Sequence, residues 1–168
     1  MSLPTTPHRY RALFICTRNS ARSILAEAIL NHLAPERFQA YSAGSHPSGQ
    51  VQPLAVRTLE QLHISATGLR SKDWVEFSQP GAPQMDFVLT VCDRAGGEVC
   101  PVWPGQPLTA HWGVSDPAEV QGPETLREQA FRDTAFILKR RIELMLALPI
   151  ESLDRMAIQQ ELRNMGTR

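Results

Sequence analysis

Cys16 and Arg22 bracket the polar run Cys16-Thr17-Arg18-Asn19-Ser20-Ala21-Arg22-Ser23, a nucleophile and a permanent cation six residues apart. A guanidinium is planar and can grip two oxygens of one tetrahedral anion, which an ammonium cannot do. The apolar stretch before Cys16 reads as a buried strand, and the stretch after Ser23 reads as a helix. A loop joining the two can aim successive backbone N–H groups inward, from Thr17 to Arg22, beside the positive end of that helix. The chemistry this predicts is oxyanion capture next to a thiol. The same surroundings favour thiolate over thiol and push a cysteine below its free pKa of roughly 8.5. A cysteine that merely fills the end of a core strand needs none of these neighbours. Ser23 reads equally as a hydrogen-bond donor to the Cys16 sulfur or as an ordinary serine at a helix start.

The elements that must position this loop follow from hydrophobic spacing. Residues 1–9 read as a loose arm. Strands are expected over Tyr10–Ile15, Phe38–Ala43, Met85–Val91 and Leu108–Trp112. Helices are expected over about Ser20–Leu33, from Leu54 to His63, from Thr125 to Leu148 and from Ser152 to Asn164. The second helix would bury Leu54, Val56, Leu59 and Leu62; the last would turn Leu153, Met156, Ala157 and Leu162 to the domain or to a second copy. Alternating strands and helices call for an α/β fold, a parallel sheet with helices on both faces. Ligands of such sheets bind beyond the carboxyl ends of the strands. Cys16, Cys92 and Asp116 all fall at or just past strand ends and so share one rim.

At 168 residues the expectation is one domain spanning 1–168. Seventeen basic residues balance seventeen acidic ones, which leaves no global field to hold nucleic acid or an anionic membrane. Anion selectivity must then be local. No apolar run reaches the length of a membrane span, the first residues lack a signal-peptide core, and three cysteines fit a reducing compartment, so a cytoplasmic protein is expected. The histidines at 8, 32, 46, 63 and 111 show no paired ligand spacing and no Cys-x2-Cys occurs, so no structural zinc is expected.

The loop Cys16–Ser23, the following Ala26-Glu27, Tyr41-Ser42-Ala43-Gly44, Ser71-Lys72, Thr90-Val91-Cys92-Asp93, Cys100-Pro101 and His111-Trp112-Gly113-Val114-Ser115-Asp116-Pro117 together resemble the low-molecular-weight protein tyrosine phosphatase family, and within it the thioredoxin-coupled arsenate reductases. Arg18 stands where family loops often carry Gly, and Ala21 where they often carry a second Cys. The resemblance implies a three-layer α-β-α fold around a four-stranded parallel sheet. It implies arsenate as substrate, with phosphate or sulfate as analogues, attacked by Cys16 in a loop clamped by Arg22. It makes Asp116 the general acid, and Cys92 and Cys100 a disulfide relay emptied by thioredoxin, in preference to glutathione with glutaredoxin.

The segment between Cys92 and Cys100 is polar and carries Gly96-Gly97, which suits a loop that carries one sulfur to another. The bland reading makes Cys92 strand-end core and Cys100 an incidental thiol. No tightly bound cofactor is implied, but some reductases of this type hold potassium beside the loop, and Asn19, Glu27, Ser42 and Asp73 match that oxygen-ligand pattern. Two other functions compete. A tyrosine phosphatase would use Cys16, Arg22 and Asp116 through a phosphocysteine, but Ala118 and Glu119 occupy positions where such phosphatases commonly have tyrosines. A non-catalytic oxyanion or thiol sensor would bind without turnover.

Overall fold

The structure, a computed structural model, describes residues 9–91 and 103–167. Its four strands, β1 (Tyr10–Cys16), β2 (Phe38–Gly44), β3 (Phe87–Thr90) and β4 (Leu108–His111), form one parallel sheet in the order β2-β1-β3-β4. Its helices are α1 (Arg22–Leu33), α2 (Pro53–Gln61), α3 (Glu124–Leu146) and α4 (Arg155–Met165). Single 3-10 turns lie at Trp74–Phe77, Pro117–Glu119 and Ile150–Ser152.

β1 is central, and its run Ala12–Ile15 is fully buried, as a parallel strand covered on both faces requires. Register assigns the faces. Phe14 pairs with Ser42 of β2 and Leu89 of β3, and Ser42 bonds Glu27 of α1, so α1 covers that face. Trp112 packs on Phe14 with the rings tilted by 46° and their centroids 6.4 Å apart. Leu13 pairs with Tyr41 on the opposite face, where the Tyr41 ring meets Phe77, and Trp74 of the same 3-10 turn packs edge-on to Trp103. α3 runs against α1 and α2, and α4 against β4. As an edge strand β4 exposes backbone donors, one of which, the Thr109 N–H, is taken by Gln159 of α4 at 3.3 Å.

The chain therefore has the expected α/β architecture, with differences at element ends. α1 begins at Arg22, not Ser20, because the loop carbonyls before it are directed elsewhere. α4 begins at Arg155, not Ser152: Asp154 caps it by accepting from the Ala157 N–H at 2.8 Å, and residues 150–152 form a separate turn. Its buried face is Ile158, Leu162 and Met165; of the four residues expected to cover the domain or a second copy, Leu162 is buried, Leu153 and Ala157 are half-buried, and Met156 is 84% exposed and does not cover the domain. Of the set expected to be buried by α2, Leu59 is fully buried and Leu54 and Leu62 pack half-buried against the core, while Val56 does not; Ala55 and Thr58 are buried in addition. β3 is shorter than expected, although Asp86 still bonds Arg11 through both backbone and side chain.

Candidate active site

β1 neighbours β2 on one side and β3 on the other, and the connections from such a switch point diverge to leave a crevice at the strand ends. The loop from Cys16 to Ser23 occupies it. The Thr17 carbonyl accepts the His46 N–H at 2.8 Å, the Arg18 carbonyl accepts the Ser48 N–H at 3.0 Å and the Ser71 hydroxyl at 3.1 Å, and the Ser20 carbonyl accepts the Gln52 N–H at 2.8 Å. In a trans peptide N–H points opposite to C=O. Outward carbonyls at 17, 18 and 20 therefore turn the N–H groups of Arg18, Asn19 and Ala21 inward, and the Asn19 N–H indeed reaches Cys16 Sγ at 3.3 Å. This is a cradle for an oxyanion built around a sulfur.

Asn19 makes that turn possible. Its φ of 48° is a left-handed conformation that asparagine tolerates better than most residues. Its side chain is fully buried and its amide orientation is fixed by the Lys72 N–H, which donates to Oδ1 at 2.9 Å. The Asn19 Nδ2 then donates to Ser23 Oγ at 2.8 Å, which leaves the single Ser23 proton for Cys16 Sγ, 2.9 Å away. Ser23 O–H and Asn19 N–H both point at the sulfur, and both stabilise the thiolate over the thiol.

Arg22 Nη1 donates to the Val114 carbonyl at 2.9 Å, and Nη2 lies 3.6 Å from Asp116 Oδ2. The fold thereby brings Asp116 to the cradle, held in its turn by accepting from the Ala118 N–H at 2.9 Å. The segment that carries both is anchored from behind: buried Arg141 of α3 donates to the carbonyls of Trp112 and Gly113. Sequence reasoning did not find Arg141, and its spacing within α3 carries no signal beyond an arginine on the buried side. Gly44 belongs to the motif Tyr41-Ser42-Ala43-Gly44, and the structure supplies its reason. A Cβ there would lie 2.5 Å from the Thr17 carbonyl oxygen and 3.0 Å from Asn19, so only glycine lets β2 end beneath the loop.

Of the residues matched to potassium, Glu27 and Ser42 meet, with the Ser42 hydroxyl donating to Glu27 Oε1 at 2.6 Å. Asn19 Oδ1 is committed to the Lys72 N–H, and Asp73 Oδ1 caps its 3-10 turn by accepting from Val75 N–H at 2.9 Å. The buried Lys72 ammonium stands 3.8 Å from Glu27 Oε1 and donates to the Arg70 carbonyl at 2.8 Å. Burial pushes Glu27 above the ordinary carboxylate range and Lys72 below the ordinary amine range, each opposed by the other's charge. This donor set does not fit a potassium ion, because the Lys72 ammonium already stands against Glu27 Oε1 and would repel a second cation there. Among the described residues no cluster of three or more His, Cys, Asp or Glu could hold a metal ion.

Cys92 and Cys100 lie outside the described residues. Arg18 is exposed, and Thr17 half-buried. No helix among the described residues is long and apolar enough to cross a membrane.

The model of the low molecular weight phosphotyrosine protein phosphatase family matches residues 11–159. An arsenate reductase of Halalkalibacterium halodurans is 32% identical over 130 residues, covering 77% of this chain and 90% of that protein. The solved structure of an arsenate reductase in a phosphate-binding state superposes with a TM-score of 0.64 at 26% identity, over 82% of this chain and 97% of that one. A thioredoxin-dependent arsenate reductase of Corynebacterium glutamicum superposes with a TM-score of 0.55 at 25% identity, over 84% of this chain and 65% of that one.

Proposed function

Because this chain belongs to the low molecular weight phosphotyrosine protein phosphatase family, we infer that it uses the family's thiol cradle to reduce arsenate to arsenite. The observation that carries this reading is the sulfur of Cys16, which receives Ser23 and the Asn19 N–H inside a loop whose Arg22 reaches Asp116. Relatives named arsenate reductases at 32% identity support the substrate. The absence of tyrosines at 118 and 119 argues against an aryl phosphoester as the main substrate.

Arg22 and the inward N–H groups hold the oxyanion. The Cys16 thiolate attacks arsenic, an As–S bond forms and an As–O bond breaks, and Asp116 gives a proton to the departing oxygen, which leaves as water. The Cys92 thiolate then attacks Cys16 Sγ. A disulfide forms while the As–S electron pair stays on arsenic, so As(V) becomes As(III) and departs as arsenite as two sulfurs are oxidised. Cys100 attacks Cys92 and frees Cys16 as thiolate, and an external dithiol of the thioredoxin kind reduces the Cys92–Cys100 disulfide. The thioredoxin-dependent neighbour supports this donor.

The test is arsenite formation from arsenate with thioredoxin, thioredoxin reductase and NADPH. Turnover is expected in wild type and lost in Cys16→Ser, Cys92→Ser and Cys100→Ser. No arsenite from wild type with either thioredoxin or glutaredoxin, together with aryl-phosphate hydrolysis that survives in Cys92→Ser and Cys100→Ser, would overturn the reading in favour of a phosphatase.

A further inference from the structure

A buried cation outside the catalytic groups has no part in the chemistry above. The Lys72 side chain is 8% exposed. Its ammonium faces two oxygens: it donates to the Arg70 carbonyl at 2.8 Å and stands 3.8 Å from Glu27 Oε1, which in turn accepts the Ser42 hydroxyl at 2.6 Å. A carboxylate and a carbonyl around one positive charge, with a hydroxyl on the same carboxylate oxygen, make the hard-oxygen environment that a monovalent metal ion would also seek. The backbone of the same residue donates to Asn19 Oδ1, the first link of the path through Ser23 to Cys16 Sγ.

We propose that the Lys72 ammonium is a tethered cation, which neutralises Glu27 and fixes the segment that orients Asn19, so that the Cys16 loop is held without any free monovalent ion. A potassium ion at Glu27 would sit against the ammonium and be repelled. Removing the ammonium leaves a buried carboxylate uncompensated, which is among the more destabilising single changes, and opens a space of one positive charge lined by oxygens. A free cation then becomes useful. Lys72 is a positioning residue, since it acts on the sulfur only through Asn19.

The test titrates potassium chloride into wild type, Lys72→Ala and Lys72→Arg, with choline chloride making up constant ionic strength. It reads the Tm and the thiolate pKa of Cys16, the latter from the pH dependence of iodoacetamide alkylation by peptide mass spectrometry. Wild type and Lys72→Arg are expected to respond to neither salt. In choline, Lys72→Ala is expected to lose roughly 6 °C or more of Tm and to show a raised Cys16 pKa, with both restored by potassium in a saturable way. A saturable, potassium-specific rise in the wild-type Tm would overturn the proposal. So would a Lys72→Ala protein that gains nothing from potassium in Tm or soluble yield, or one that regains Tm while its Cys16 pKa stays high. Arsenate takes no part, so the outcome is independent of the proposed reaction.

Discussion

At the scale of single residues, the sulfur's character is set by hydrogen-bond direction. The Lys72 N–H fixes the Asn19 amide, the amide occupies the Ser23 oxygen, and the hydroxyl proton is left for Cys16. A hydrogen bond to a charged group contributes about 1.5–3 kcal/mol. Ser23→Ala is therefore expected to raise the Cys16 thiolate pKa by about one to two units, read from the pH dependence of alkylation at that peptide; an unchanged profile would show that Ser23 is only a helix serine. Glu27 supplies a second prediction, in pH. Burial raises its carboxyl above the ordinary 4.5, against the Ser42 bond and the Lys72 charge that lower it. The native protein therefore keeps this proton where the unfolded chain has already released it. The associated stability is present below 4.5 and is lost as pH rises through the folded value. Glu27→Gln has no such loss. Its Tm relative to wild type should become more favourable from mildly acid pH toward neutrality, and a trend of the opposite sign across that window would refute the assignment. Cys16, Arg22, Ser23 and Asp116 were legible because strand, loop and helix signals bracket them in one stretch or one motif. Lys72 stands in a matched motif with no role legible and Arg141 in none, since a buried cation's task is recognised only by what distant chain brings to it: Glu27 in one case, the carbonyls of Trp112 and Gly113 in the other.

Elements place the loop by meeting it at close range. β2 ends at Gly44 directly under Thr17 and Asn19, and the Gly44 N–H is held by the Lys72 carbonyl at 2.9 Å, so the strand cannot move aside. A methyl group at this position meets backbone, not the end of a flexible chain. Gly44→Ala is expected to cost about 1–3 kcal/mol through overpacking, and it should displace the loop that turns its N–H groups inward. The measurement is inorganic phosphate binding by calorimetry alongside Tm. Weakened affinity with a lowered Tm is the expected pair, and undiminished phosphate affinity would show that β2 does not shape the cradle. The four strands and four described helices were readable from apolar spacing because each buries a continuous face. The 3-10 turn at Trp74–Phe77 was missed, though Asp73 followed three residues later by Glu76 is a start signal for a helical turn. Four residues leave no periodicity to count. α4 was placed too early for the same kind of reason: the apolar residues Leu153 and Met156 suggested a face, while the cap at Asp154 decides where the helix starts and which way it turns.

Across the whole molecule, the site depends on elements far from it in sequence that converge on Trp112. This side chain is fully buried, packs on Phe14 of the central strand, and donates from Nε1 to the Leu162 carbonyl of α4 at 2.8 Å. Its own carbonyl is held by Arg141 of α3. Two residues on, Val114 takes Arg22, and four residues on, Asp116 stands beside the same guanidinium. The C-terminal helix thus bonds, at this indole, the segment that carries the anion clamp. Trp112→Phe keeps an aromatic ring against Phe14 but leaves the Leu162 carbonyl without its donor, at a cost of about 1–3 kcal/mol. At roughly 2–4 °C per kcal/mol for a chain of this size, the Tm should fall by about 2–12 °C. If the indole acts as a link and not as filler alone, phosphate affinity should fall as well, because the segment that orients Arg22 loosens with it. A control of similar cost placed away from the link, such as Leu59→Val in α2, should lower the Tm without lowering phosphate affinity. Equal phosphate affinity in both variants would mean that Arg141 and the Trp112 and Val114 N–H bonds to Thr90 and Val91 hold the 112–116 segment without the indole, and that α4 stabilises the fold without shaping the site.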